Sequence, residues 1–248
     1  MPEASALPLP LPFLPPLLLL LLGFSRAEQM ALVWDDTYID LAGQPGSDYG
    51  NWTVLRQHVL PHVRGAKDML QLGCGNSPFA AEMAADAEAG VPANAMLNTD
   101  FSPVVVAQMR ARYPALRWAV ADALALRNDF GAESFDAVVE KGVLASFEGY
   151  GDVADTRQVL QEVWRVLRWG GVFLSVCEVP VNVSLAVASA HSGELEWVLE
   201  DTADIGEPRP DDTAPKVIVM RKQKKGGDVG VRMQKAGRAT ASQGHGEL

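Results

Sequence analysis

The chain has 248 residues, 48% of them apolar, 21% charged and 7% aromatic, with a net charge of −10. That length can bury one ordinary core, and the acidic balance excludes a protein that grips phosphate backbones through general basicity. The charge is uneven, because Lys222 to Leu248 carries six basic residues against two acidic ones, which leaves −14 on Met1 to Arg221. A basic or neutral protein surface suits this body as a partner, whereas nucleic acid does not.

The chain opens on a Leu/Pro stretch with six consecutive leucines, Leu17–Leu22, followed by Ser25-Arg26-Ala27, small residues at a spacing a signal peptidase accepts. It is too short and too interrupted by proline to cross a bilayer, which takes about 20 residues, so no stable membrane span is expected. Two readings of residues 1–29 stay open: a signal-like leader, or an over-extended start with Met30 as the true beginning. The first places the protein in the secretory pathway, the second in the cytoplasm. Val33 to Trp52 is aromatic and acidic, and its candidates for a lid over a pocket are Asp48, Tyr49 and Trp52. Trp34 and Tyr38, four apart, fit one face of an ordinary helix instead. Asn51-Trp52-Thr53 matches a glycosylation acceptor, which matters only if the leader is functional. Val54 to Val63 carries a helical apolar stripe.

From Met69 strands and helices alternate. Strands fit 69–72, 95–99, 116–120, 135–140 and 172–177, and helices fit 78–89, 103–113 and 155–167. Such alternation means βαβ units and a parallel sheet covered on both faces. Two further strands, 196–200 and 216–220, flank an acidic loop and read as an antiparallel hairpin at the sheet edge. The fold expected is α/β, a Rossmann-like doubly wound, mostly parallel seven-stranded sheet with an antiparallel last strand. It occupies residues 30–221, and residues 222–248, rich in Lys, Gly and Gln, form a disordered tail. Cys74 and Cys177 fall two strands apart, roughly 9–10 Å at about 4.8 Å per strand, beyond the reach of a disulfide.

Three features carry chemistry. Gly73 and Gly75 lie where the first strand turns into a helix, allowing close backbone approach to a nucleotide, with Ser77 at the helix N-cap and Pro78 at its first position. A dinucleotide fingerprint needs a third glycine where Pro78 stands, which weighs against NAD or FAD. Asp100 ends the second strand, placed to accept both ribose hydroxyls. Asp122 ends the third, where it can accept from an adenine amino group or simply hold a surface turn.

Those segments, GCGNS at Gly73–Ser77, TDFSPVVVAQM at Thr99–Met109, SFDAVVEKGVL at Ser134–Leu144 and LQEVWRVLRWGGVFLSV at Leu160–Val176, resemble the class I S-adenosylmethionine-dependent methyltransferases. The nearest flavour is the branch that includes lysine methyltransferases acting on translation elongation factor 1-alpha. The resemblance implies S-adenosylmethionine as cofactor, bound by Gly73, Cys74, Gly75 and Asn76 in the turn, Asp100 with Phe101, and Asp122 with Ala123, and no metal. Gln71 stands where many class members carry an acid. After Glu140-Lys141-Gly142 the branch usually continues Thr-Leu-Asp, whereas this chain has Val143-Leu144-Ala145. Trp169 replaces a common proline before Gly170-Gly171. Glu140, at the end of the fourth strand, is the candidate to orient an acceptor amine, the alternative being a structural carboxylate bound to Lys141 or a backbone turn. The activity expected is in-line methyl transfer to a protein lysine. A small-molecule methyltransferase and a non-catalytic S-adenosylmethionine-binding module remain as alternatives.

Overall fold

The computed structural model describes residues 26–41, 44–46, 49–150, 153–178, 195–205 and 214–224. In chain order these form α1 (Arg26–Asp40), α2 (Trp52–Val63), β1 (Met69–Leu72), α3 (Phe79–Ala85), β2 (Met96–Asp100), α4 (Pro103–Arg112), β3 (Arg117–Val120), β4 (Phe135–Lys141), α5 (Val143–Tyr150), α6 (Val153–Val166), β5 (Leu167–Cys177), β6 (Leu195–Asp204) and β7 (Lys216–Lys224), with a 3₁₀ turn at Leu126–Asn128. The seven strands lie in the order β3-β2-β1-β4-β5-β7-β6. Neighbours from β3 to β5 are parallel, and β7 runs antiparallel to both β5 and β6. The expected Rossmann-like sheet with its antiparallel last strand is what forms.

Successive β1 side chains point to opposite faces, and the core divides accordingly. Met69 joins Leu55 and Val59 of α2, Phe79 of α3 and Val105 and Met109 of α4 on one face. Leu70 and Leu72 join Leu144 of α5 and Val159, Leu160, Val163 and Val166 of α6 on the other. The α6 stripe repeats at i, i+1, i+4 and i+7, the spacing that buries one side of a helix. Cys74 and Cys177 are both buried and form no disulfide, Cys74 lying just past β1 and Cys177 at the end of β5, with β4 between those strands.

Several boundaries move. Residues Arg26–Gln29, expected in the leader, form the first turn of α1, and residues 1–25 lie outside the described residues. Helix α3 ends at Ala85 rather than 89, because the Asp86 carboxylate accepts the Trp52 indole N–H at 3.0 Å and the Arg56 Nε–H at 2.5 Å. At its other end Pro78 is the N-cap, and the Ser77 hydroxyl accepts the Phe79 N–H at 3.4 Å. Asn51 is the N-cap of α2, its side chain accepting from Val54. Strand β5 begins at Leu167, its register against β4 shifting between Phe135 and Ala137. Strand β7 runs to Lys224, so the expected tail does not start at 222, and residues 225–248 lie outside the described residues. Helix α5 was not foreseen.

Candidate active site

In a parallel sheet the crevice beyond the carboxyl ends of the strands is where a ligand sits, and a cavity of about 790 Å³ opens there. It is built from the turn upward. Gly73 and Gly75 adopt φ of 53° and 52°, the left-handed region that glycine enters without penalty. A Cβ on Gly73 would stand 2.2 Å from a Val143 methyl, and one on Gly75 would stand 3.2 Å from the Tyr38 hydroxyl. The turn is therefore pressed between α5 and α1. Asn76 ties it to the preceding loop, donating to the Gln44 carbonyl at 2.6 Å.

Asp100 is 3% exposed. One carboxylate oxygen accepts the Gly75 N–H and the other the Ser102 N–H, each at 3.0 Å. Burial raises its pKa to about 6, against the lowering effect of those two hydrogen bonds. Ser102 caps α4 and its hydroxyl donates to Asp35 on α1. Asp122 accepts the Leu124 N–H through Oδ1 at 2.8 Å, so it holds a turn while lining the cavity. Gly73, Cys74, Gly75, Asn76, Asp100, Phe101, Asp122 and Ala123 all line that one cavity.

The lid candidates separate. Tyr49 lines the cavity in a left-handed conformation with φ of 60°, its ring 2.6 Å from where a Gly142 Cβ would be. Trp52 does not line it. The indole is 5% exposed, packs edge-on against Phe79 and donates to Asp86, so it belongs to the α2–α3 core rather than to a lid. Asp48 lies outside the described residues. The aromatic wall comes instead from α1, where Met30, Trp34 and Tyr38, each four residues apart, line the cavity. Trp34 and Tyr38 stack with centroids 5.7 Å apart. Their spacing announced a helix face; that the face covers the turn is a tertiary fact.

Glu140 also changes place. Its carboxylate is fully buried, is not among the cavity-lining residues, and accepts the Val143 and Leu144 N–H groups at 2.8 and 3.3 Å and the Ser175 hydroxyl. Burial pushes its pKa up to about 7, opposed by these bonds. It caps α5, which is the structural alternative. Ala145 packs on the α6 side of the core. Asp155, Glu178 and Lys141 also line the cavity; no short motif marks either acid.

A methyltransferase domain model matches residues 70–175. The mouse (Mus musculus) protein named EEF1A lysine methyltransferase 4 is 39% identical over 68% of this chain and 68% of its own length. The cattle (Bos taurus) protein of that name is 38% identical over 64% and 66%. This chain belongs to the class I S-adenosylmethionine-dependent methyltransferases. Among solved structures, a TehB-like methyltransferase from Corynebacterium glutamicum superposes with a TM-score of 0.55 at 20% identity, covering 78% of this chain and 98% of that one, which bears on the fold alone.

The cofactor of this methyltransferase is S-adenosylmethionine, and the residues present fit it. Gly73 and Gly75 line the cavity at positions where any Cβ would meet α5 or α1. Each Asp100 oxygen accepts a backbone N–H, and a carboxylate oxygen has two lone-pair sites, so each can also accept one ribose hydroxyl. The cavity volume falls in the usual range for small-molecule sites, about 300–1,000 Å³. Among the described residues no group of three or more His, Cys, Asp or Glu side chains is placed to hold a metal ion, and no helix is long and apolar enough to cross a membrane.

Proposed function

We propose that the chain methylates a lysine side chain of a protein, with elongation factor 1-alpha the first substrate to try because the mouse and cattle relatives are named for it. The observation that carries this reading is the Asp100 carboxylate, pinned at the strand end by Gly75 and Ser102. A ribose held there leaves the β4 and β5 ends of the same cavity for an acceptor. Ala145, where the resembled branch carries a carboxylate, favours the non-catalytic alternative. That residue packs on the core rather than the cavity, so its side chain takes nothing from the walls.

In this mechanism Asp100 would accept the two ribose hydroxyls, Asp122 would accept from the adenine amino group, and the Gly73–Gly75 backbone would allow the cofactor to approach closely. Bound there, S-adenosylmethionine supplies an electrophilic methyl on a sulfonium. The Tyr49 ring, seated on Gly142, excludes water on one side, and Trp34 and Met30 of α1 do so on another. An acceptor amine loses its proton to solvent at the cavity mouth. The neutral nitrogen would take that methyl in line, with the C–S electron pair left on sulfur. Holding the reactants in line is the protein's main contribution, on the order of 7–11 kcal/mol at the ideal limit.

Incubation of the full chain with recombinant elongation factor 1-alpha and isotope-labelled S-adenosylmethionine tests the proposal. The expected result is label in that protein, located on lysine by peptide mass spectrometry. Label confined to small molecules when a whole cell extract is offered would replace this reading with the small-molecule one.

A further inference from the structure

We propose that Gln158 and Glu162 of α6 are positioning residues for the nucleobase, holding the loop after β3 so that Asp122 selects a 6-aminopurine over a 6-oxopurine. This rests on the cofactor placement proposed above. Oδ1 of Asp122 accepts the Leu124 N–H at 2.8 Å, and among the described residues Oδ2 has no hydrogen-bond partner. Where Oδ2 stands in the cavity follows from where the 122–124 turn lies. One end of that turn is fixed by the sheet, the Ala121 N–H donating to the Asp100 carbonyl at 3.0 Å. The other end hangs on α6. The Gln158 amide donates to the Leu124 carbonyl at 2.6 Å. Glu162 accepts the Arg127 backbone N–H at 2.6 Å and its guanidinium at 3.0 and 2.5 Å. Arg165 donates to the Phe130 carbonyl at 2.9 Å and pairs with Glu162 at 3.1 Å.

These three side chains recur at i, i+4 and i+7, so they share one side of α6 over about 10 Å. The loop residues they hold, Leu124, Arg127 and Phe130, follow in the same order. Packing alone does not set the position. Leu126 is fully buried in the core with Val159, Leu160 and Val163, but apolar burial is non-directional and fixes the depth of the loop rather than its orientation. Glu162, 1% exposed, is the informative residue. A buried carboxylate with its cations adds little stability over an apolar residue of similar size; what it adds here is direction, through its bonds to Arg127. Neither Gln158 nor Glu162 lines the cavity. They act through Asp122.

S-adenosylhomocysteine, the cofactor without its methyl, and S-inosylhomocysteine, with a carbonyl in place of the 6-amino group, read this contact without turnover. In calorimetric titrations of the full chain, S-adenosylhomocysteine should bind tighter by roughly tenfold or more, the worth of a hydrogen bond to a charged group. Asp122→Asn is the reference for a lost contact. With Oδ1 still held by Leu124, its amide N–H faces the base, and the preference should reverse. Glu162→Gln should cut the preference several-fold by weakening S-adenosylhomocysteine, while S-inosylhomocysteine stays within about twofold. Because Glu162 is buried and its variant can fail to fold, a double variant, Gln158→Met with Arg127→Ala, cuts two of the ties at exposed side chains. It should lower the preference by about threefold or more, the worth of ordinary hydrogen bonds. An unchanged preference in a folded variant, whether the two affinities hold or fall equally, overturns the assignment and leaves these contacts purely structural. An unaltered chain that binds both compounds equally removes Asp122 from the base and the proposal with it. One that binds neither overturns the cofactor placement itself.

Discussion

Asp100 has two tasks that pull its ionisation in opposite directions. Burial raises its pKa to about 6, while a ribose needs the ionised form, since hydroxyls donate best to a charged acceptor. Asp100→Ala should weaken S-adenosylhomocysteine binding by roughly 1.5–3 kcal/mol, the size of hydrogen bonds to a charged group. Calorimetry on a folded variant with unchanged affinity would remove Asp100 from the proposed site. This residue was legible in the sequence because its position depends only on a strand ending where a strand must end, and Gly73 and Gly75 were legible for the same local reason. Glu140 looked equivalent, also at a strand end, yet its side chain turns back to the first N–H groups of α5. Nothing in a one-dimensional pattern separates a carboxylate facing the crevice from one facing the next helix. Trp52 was misread as a lid because Asp86, which receives its indole N–H at 3.0 Å, lies 34 residues away.

Among elements, the strands of the sheet were visible in the sequence through their short apolar runs between turns. Helix α5 was not, because Val143–Tyr150 has a glycine near its end and no N-cap of its own; Glu140 supplies the cap from the preceding strand. The turn and this helix touch at one point. Gly73→Ala must pay about 1–2 kcal/mol for a left-handed alanine, and must also move Val143, whose methyl stands 2.2 Å from the new Cβ. Its melting temperature and its S-adenosylhomocysteine affinity should fall together, and a loss of stability with intact binding would mean that α5 does not shape the cavity. Strand β7 gives the second case. Lys222, taken from the sequence as the start of a tail, is 3% exposed. Its ammonium donates to the Trp164 and Leu167 carbonyls at 2.9 and 2.6 Å and lies 4.7 Å from the Trp169 ring centre. Lys222→Ala leaves those carbonyls unsatisfied and the rings without their cation, a cost of about 2–4 kcal/mol. Denaturant titration checks it, and a change within a few tenths of a kcal/mol would show that β7 is held by its ladder alone.

The whole molecule couples its stability and its site through the same edge of the sheet. Asp100 and Glu140 carry pKa values of about 6 and about 7, against ordinary values of 3.8 and 4.5, burial being the main cause in both. A folded pKa above the unfolded one means the native state holds the proton more tightly, so the stabilisation is complete below the ordinary values and is lost as the pH rises through 6 and 7. The ligand-free protein should therefore melt at lower temperature at about pH 8 than at about pH 5. Ligand binding works the other way at Asp100, where the ionised carboxylate is the better acceptor for ribose. The rise in melting temperature produced by saturating S-adenosylhomocysteine should grow over the interval in which the free protein weakens. Asp100→Asn keeps the shape and removes the titration, so its ligand-induced shift should lose this pH dependence, while the decline due to Glu140 stays. Glu140→Gln should remove only its own share of the free protein's decline, that due to Asp100 remaining, and should leave the pH dependence of binding in place, because its carboxylate serves α5 and not the ligand. If both variants flattened both curves, the two acids would form one titrating unit, and the separation between a cofactor-holding Asp100 and a helix-capping Glu140 would fail.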